Sequence, residues 1–335
     1  MPRCVVLRAH GLGELLTAVP ALRALRQGLP DHEIVLATPR TLVPVARLTG
    51  AVDDVVHHPG SGPLGWDGPP PELAVDLHGA GPPSKGALLA LRPGRLVAFA
   101  GSAPDGRWVP GPPWREDEHE VHRWCRLVQS LGLVADPTDL RLDPPAGVVP
   151  AAGPGPVVIH PGASSAARRW PADRFAQVAA WASRFAPVAL TGSRSDRRLC
   201  EEVRRRASLP EDSVLAGRTD ALDLAGLVAA ARLVICGDTG VAHLAAAYAR
   251  PSVILCGPSP PGLCTPPVDG PQLVLYRGDP GDRRSRDRHS ASPDPRLLRI
   301  TVHDVIEAAI SLLWQRPSPV RESYRSHALP PSDPA

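Results

Sequence analysis

The sequence predicts an α/β protein built from two doubly wound, Rossmann-like domains that face each other across a cleft. Three observations lead there. Strand-like and helix-like segments alternate along nearly the whole chain, the pattern of parallel sheets covered by helices. The rhythm stops at a Pro-rich stretch, "ADPTDLRLDPPAGVVPAAGPGP", and then starts again. Finally, 335 residues of which 43% are hydrophobic suffice for two ordinary cores. The expected division is an N-terminal domain over 1–135, a linker over 136–155, a C-terminal domain over 156–315 and a disordered tail over 316–335.

In order, the first domain gives the strand "CVVLRA", a helix from about Glu14 to Gly28, "EIVLAT", a short helix over Val43 to Leu48, "DVVHH", "LAVDLHG", a helix after Pro83 and "RLVAFA". Residues 101–118, rich in Pro, Gly and Trp, break the pattern. Then "EHEVHRWCRLVQSLGL" places Val121, Trp124, Leu127, Val128 and Leu131 at helical spacing. The second domain gives "VVIHPGA", a helix from Ala172 to Phe185, "PVALTG", a helix through Arg205 and "SVLAG". It continues with a helix from Leu222 to Ala230, "RLVICG", a helix from Thr239 to Ala249 and "SVILCGP". Residues 278–295 read as a polar loop, and "VHDVIEAAISLLW" as a last amphipathic helix.

Composition narrows the function classes. No apolar run approaches the roughly 20 residues of a membrane span, and the N-terminus enters a strand without a signal-peptide pattern, so a cytoplasmic location is expected with at most peripheral membrane contact. The six cysteines are scattered without a CxxC pair, which suits buried reduced thiols. Net charge is only +3, and Lys85 is the sole lysine in an arginine-rich, proline-rich chain. That bias reflects GC-rich coding and carries no inference of nucleic-acid binding.

Ligands of open α/β sheets sit at the carboxyl ends of strands, where helix N-termini point. Four stretches qualify. In "AHGLGELL", Gly11 and Gly13 allow a tight turn into a helix whose first turn holds Glu14; the glycines serve packing or a phosphate, and Glu14 is a dipole charge or a functional group. In "HPGASSAARRWP", His160 ends a strand and Ser164, Ser165, Arg168 and Arg169 follow, a set suited to an anion and above all to phosphate. "LTGSRSDRRL" brings Gly192 and Asp196 to a strand-to-helix turn, where Asp196 either accepts from ribose hydroxyls or simply caps the helix. In "ICGDTGVAHLAAAY", the acid Asp238, Thr239 and Gly240 open a helix and His243 falls one turn in; an N-cap explains Asp238 but not its companions.

Three segments in order, "GLGELLTAVPALRALR", "HPGASSAARRWP" and "GDTGVAHLAAAYARPSVILCGPS", resemble glycosyltransferase family 9, whose best-known members are ADP-heptose:lipopolysaccharide heptosyltransferases. The resemblance extends to about residue 314. It implies the GT-B architecture, with a glycan or glycolipid acceptor on the N-terminal domain and a nucleotide-sugar donor on the C-terminal one. It places His160, Ser164, Ser165, Arg168, Gly192, Asp196, Asp238, Thr239, Gly240 and His243 around the donor. Gly11, Gly13, Asp76 and His78 fall on the acceptor side. Glu14, where the family usually has aspartate, becomes the general base.

Chemistry fits that assignment. A departing diphosphate is stabilised by helix N-termini and arginines, and the sequence has no DxD pair, so neither a metal nor a cofactor is expected. One carboxylate acting opposite the diphosphate implies inversion. The chain departs from the family where "GPSPPGLCTPP" puts Cys264 and Thr265 in place of Trp-Gly, which bears on the donor pocket. A non-catalytic nucleotide-sugar-binding protein of the same fold is the alternative reading; a sugar-nucleotide epimerase would need further acids in the cleft.

Overall fold

The structure, a computed structural model, describes residues 1–147, 155–266, 270–279 and 290–314. Part of the expected linker, most of the expected polar loop and the expected tail lie outside these residues. In the first domain, β1 (Arg3–Leu7) leads through α1 (Leu12–Thr17) and α2 (Val19–Gly28) to β2 (Glu33–Thr38). Then come α3 (Val43–Leu48), β3 (Asp54–His57), β4 (Leu73–Asp76), α4 (Pro82–Leu89) and β5 (Arg95–Val97). A hairpin of β6 (Gly101–Ser102) and β7 (Trp108–Val109) precedes α5 (Glu120–Gln129).

The second domain runs β8 (Val157–His160), α6 (Ala172–Ala182), β9 (Val188–Leu190), α7 (Arg197–Arg206), α8 (Ala221–Ala229) and β10 (Leu233–Gly237). It closes with α9 (Gly240–Ala247), β11 (Ser252–Cys256), α10 (Pro261–Cys264), β12 (Gln272–Tyr276), α11 (Pro295–Leu298) and α12 (Val302–Trp314).

Each domain holds one parallel five-stranded sheet, in the orders β3-β2-β1-β4-β5 and β12-β11-β10-β8-β9. The chain reverses direction of winding between β1 and β4 in the first sheet and between β10 and β8 in the second. At such switch points adjacent loops diverge and leave a crevice. The loops after β1 and β4 and those after β8 and β10 are therefore the places prepared for ligands.

Both faces of each sheet are apolar, so the strands read as near-continuous hydrophobic runs and their residues alternate between two layers. Cys4 and Val6 of β1 and Val158, Val234, Cys236 and Ile254 of the second sheet look into one continuous core that also takes α2, α5, α8 and α9. Val157, Ile159, Leu233, Ile235, Val253 and Leu255 look the other way, into a core closed by α6 and α12. The shared layer joins the domains: α1 packs on α9 and α3 on α8. The described part of the linker is pinned as well, since Leu142 N–H donates to Ala247 O at 3.2 Å and Arg23 bonds the Asp139 carboxylate and Arg141 O.

Four elements differ from expectation, each for a physical reason. The helix expected from Glu14 to Gly28 breaks at Ala18, because Pro20 has no N–H for Leu16 and its ring crowds that turn. "SVLAG" contributes only a bridge from Val214 to Leu190, its start being drawn into a 3-10 turn over Glu211–Ser213. "QLVLY" forms the edge strand β12 beside β11, hidden in the sequence by flanking Pro and Gly. The Pro- and Gly-rich break contains the β6–β7 hairpin, too short to show a period. Cys4, Cys125, Cys200, Cys236 and Cys256 are buried and carry no disulfide. No helix among the described residues is long and apolar enough to cross a membrane.

Candidate active site

The first turns of α1 and α9 meet at the junction of the two domains. A Cβ on Gly240 would lie 2.8 Å from Leu12 Cβ and 2.9 Å from Gly13 N, and one on Gly13 would lie 3.2 Å from His243 Cδ2. At Gly240 this approach of backbone to backbone leaves no room for a side chain, and at Gly13 a Cβ fits only if its neighbours give by a few tenths of an ångström. Gly11 does another job: a Cβ there would sit 3.0 Å from Glu14 Oε2, so its absence leaves room for the Glu14 carboxylate to fold back over the turn. Glu14 is half-buried on the first-domain side of this junction, with His243 opposite.

His243 is buried, and burial pushes its pKa down although Asp238, Glu120 and Glu14 each pull it up, in that order of strength. It is therefore a neutral imidazole at pH 7, within the electrostatic reach of three carboxylates and of Arg168. Arg168 is fixed rather than loose. Its guanidinium donates to the backbone oxygen of Asp238, to Asp238 Oδ2 at 3.1 Å and to Ser164 Oγ at 3.2 Å. Arg168 and Asp238 line a small cavity with Leu255, Gly257, Pro258 and Ser259. The loop after β8 and the loop after β10 thus come together, and Thr239 stands as the N-cap of α9 beside them.

Two residues expected at the donor lie one strand further out. Asp196 forms a capping box with Ser193, accepting from its N–H at 2.9 Å and its Oγ at 2.5 Å, and sits 3.6 Å from Arg169. Gly192 is packing: a Cβ there would be 2.7 Å from Asp196 Cβ. His160 turns inward, its Nδ1 3.0 Å from Thr191 Oγ1, and burial lowers its pKa to about 4. Ser165 is the N-cap of the short turn that carries Arg168.

On the acceptor side, Asp76 is fully buried. Its oxygens accept from Ser84 Oγ at 2.7 Å and His78 N–H at 3.0 Å, and burial raises its pKa to about 6 against the pull of those bonds and of Lys85. Asp76 organises the 77–84 loop, its oxygens taken by Ser84 and His78, so of these two acids Glu14 is the one facing the junction. Lys85 is buried in the same network, bonded to Ala80 O, and burial lowers its pKa. His78 stacks on His10 with centroids 3.7 Å apart, its Nδ1 accepting from Ala9 N–H. Burial and then the neighbouring His10 hold its pKa near 4.

Sequence reading missed the group that holds Glu14 in place. Arg8, 1% exposed, directly follows β1 and donates to Glu14 O at 2.7 Å, Leu77 O at 2.7 Å, Thr17 Oγ1 at 3.0 Å and Glu120 Oε1 at 2.6 Å. It also lies over the Trp124 ring. Burial would raise the Glu120 pKa, but the Arg8 charge and hydrogen bond together lower it. A lone arginine closing an apolar strand just before a glycine turn was the available signal, as was the acid-and-histidine run "EDEHEVH" opening α5.

Two facing Rossmann-like domains whose switch-point loops meet over a carboxylate, a neutral histidine and a fixed arginine define the GT-B class. Residues 113–288 match the profile of "Glycosyltransferase family 9 (heptosyltransferase)", and the chain belongs to that family. It is 34% identical over 131 residues to lipooligosaccharide heptosyltransferase 2 of Haemophilus influenzae, a stretch spanning 37% of either protein. The chain thus covers little more than a third of that curated relative's length. Among solved structures, the fold is similar to E. coli ADP-heptose LPS heptosyltransferase II, with TM-score 0.74 and 21% identity over 94% of this chain and 99% of that one. It is also similar to E. coli heptosyltransferase WaaC with ADP, with TM-score 0.66 and 17% identity over 92% and 99%.

Proposed function

We propose that the protein is an inverting, metal-independent glycosyltransferase that moves a heptose or related sugar from a nucleoside-diphosphate sugar to a hydroxyl of a glycan or glycolipid. The observation that carries this reading is the junction itself: Glu14 on α1 and the turn from Asp238 into α9, which bears His243, come together where Gly13 and Gly240 let the two backbones approach closely. The names of the relatives favour an ADP-heptose donor and a lipopolysaccharide-type acceptor. A cytoplasmic site of action, with at most peripheral membrane contact, goes with that reading.

In this mechanism Glu14 takes the proton of the acceptor hydroxyl as its oxygen attacks the anomeric carbon. The new C–O bond forms as the bond to the diphosphate oxygen breaks, and the electron pair leaves with the nucleoside diphosphate. A single displacement from the opposite face inverts the anomeric centre. Arg168, Ser164 and the N-terminus of α9 take up the charge on the leaving group, the task a metal performs elsewhere. Neutral His243 and Asp238 hold sugar hydroxyls. Arg8, through Glu14 O and Thr17, keeps the base turn in register with the 77–84 loop.

Purified protein incubated with a panel of nucleotide sugars and glycolipid acceptors, in excess chelator, tests the reading. It predicts transfer from one ADP-sugar at a rate unaffected by chelator. A donor that binds but is never cleaved with any acceptor contradicts it and favours a binding protein.

A further inference from the structure

The segment 257–265 begins at the cavity lined by Arg168 and Asp238, and residues of both domains hold it. At its start, Arg296 of the second domain donates to Pro258 O at 3.1 Å. At its end, Thr265 is buried, its Oγ1 turned back onto Pro261 O at 2.5 Å. There the partner comes from the first domain: His119 Nε2 lies 2.8 Å from Thr265 O, 146 residues away in sequence. His119 is also the N-cap of α5, its Nδ1 accepting from Val121 N–H at 3.2 Å.

These two contacts fix the imidazole. An acceptor at Nδ1 leaves the single proton of a neutral ring on Nε2, where it is donated to the Thr265 carbonyl. Burial, the largest influence, holds the pKa of His119 down, which keeps the ring in that form. The next residue, Glu120, receives Arg8 and through it the carbonyl of Glu14. The start of α5 thus touches the donor-side loop with one side chain and is linked to the base-bearing turn, through Arg8, by the next. Thr265 is also, with Glu14 and Cys264, one of the positions at which the chain leaves the family pattern.

We propose that His119 is a positioning residue, a strut that seats the donor-side loop 257–265 against the first domain and so sets the donor pocket relative to Glu14. The proposal rests on the transferase reading for its kinetic consequence but not for its structural one.

Two substitutions separate the contacts. Asn places its oxygen near the position of Nδ1 and is a good N-cap, so His119→Asn keeps the cap and loses the strut. The longer side chain of His119→Gln carries an amide N–H toward the position of Nε2 and loses the cap. The measurements are hydrogen exchange of the Ser259, Gly262, Leu263 and Thr265 amides, thermal unfolding, and donor KM and kcat in the full-length protein. His119→Asn is expected to unfold within about 2 °C of wild type while these amides exchange roughly three- to tenfold faster, the factor one net hydrogen bond is worth. Its donor KM rises by a similar factor, with a smaller change in kcat. His119→Gln is expected to unfold at a lower temperature yet keep the loop protected and KM near wild type. Wild-type exchange in His119→Asn overturns the strut, and faster exchange with unchanged KM overturns its role in donor placement. Absence of turnover in the wild type strikes the transferase reading instead, and the exchange comparison still decides whether the strut exists.

Discussion

Gly13 and Gly240 meet backbone to backbone across the two domains, with only 2.9 Å between Gly13 N and the position a Cβ on Gly240 would occupy. No rotamer change relieves such a contact, so Gly240→Ala must push α9 away from α1. The expected cost is about 1–3 kcal/mol, as for other overpacked sites, with a marked loss of turnover because the base and the donor turn separate. Gly13→Ala meets its nearest neighbours at 3.2 and 3.3 Å and is expected to be milder in both respects. Thermal unfolding and initial rates of the two variants check the order.

Arg8 supports a second prediction. Replacing it with Met leaves half-buried Glu120 without this cation and the Leu77 carbonyl without this donor, while Glu14 O keeps only its bond from Thr17 Oγ1; the expected cost is about 3 kcal/mol, the lower end for a broken buried pair. Arg8→Lys is expected to rescue little, since one ammonium cannot reach partners that a planar fork serves together. Urea unfolding of both variants measures the difference.

How much of this was legible beforehand follows from where the signals lie. Alternating apolar segments gave both sheets, and polar or glycine-bearing strand ends marked four loops, those after β1, β8, β9 and β10. Three of the four lie at the switch points of the two sheets, and the loop after β9 lies one strand further out. What stayed hidden depends on contacts distant in sequence. Nothing near Asp76 reveals that Ser84 and His78 occupy its oxygens, and nothing near Arg8 reveals Glu120, 112 residues away. Gly13, expected to allow a tight turn, and Gly240, expected to open a helix beside the donor, also face each other, a contact 227 residues apart that no local pattern shows. Asp196 and Gly192 fit a capping box as well as they fit a ribose, and local spacing does not separate the two.

Stability should fall on acidification. His160 is half-buried, and desolvation holds its pKa near 4, so between that value and its ordinary 6.5 the unfolded chain binds a proton that the folded chain refuses. By linkage its contribution is present above pH 6.5 and is lost as pH falls toward 4, roughly 2–3 kcal/mol in all. His78 adds in the same direction. Asp76, raised to about 6, works the other way, its contribution fading as pH rises from 4 to 6. Denaturation midpoints at pH 7 and pH 4.5 are expected to differ in favour of pH 7, and His160→Asn should shrink the difference.

Ala249 closes α9 with φ +50°, a left-handed residue without the freedom of glycine, while Arg250 N–H returns to Ala245 O at 2.8 Å. Ala249→Gly is expected to raise stability by about 0.5–1 kcal/mol, read from the unfolding midpoint.

Arg168→Ala should weaken binding of a nucleoside diphosphate by about 1.5–3 kcal/mol, the range for hydrogen bonds to charged groups. Calorimetric titration with ADP in chelator measures it. An unchanged affinity would leave Arg168 as no more than a clamp on Asp238.

The central claim is that Glu14 is the general base, and the measurement that tests it most directly is single-turnover sugar transfer by Glu14→Gln at saturating donor. The account predicts a rate lower by roughly 10² to 10⁴ with donor affinity and unfolding temperature preserved, and substantial activity restored in Glu14→Asp. Transfer by Glu14→Gln at the wild-type rate would contradict it.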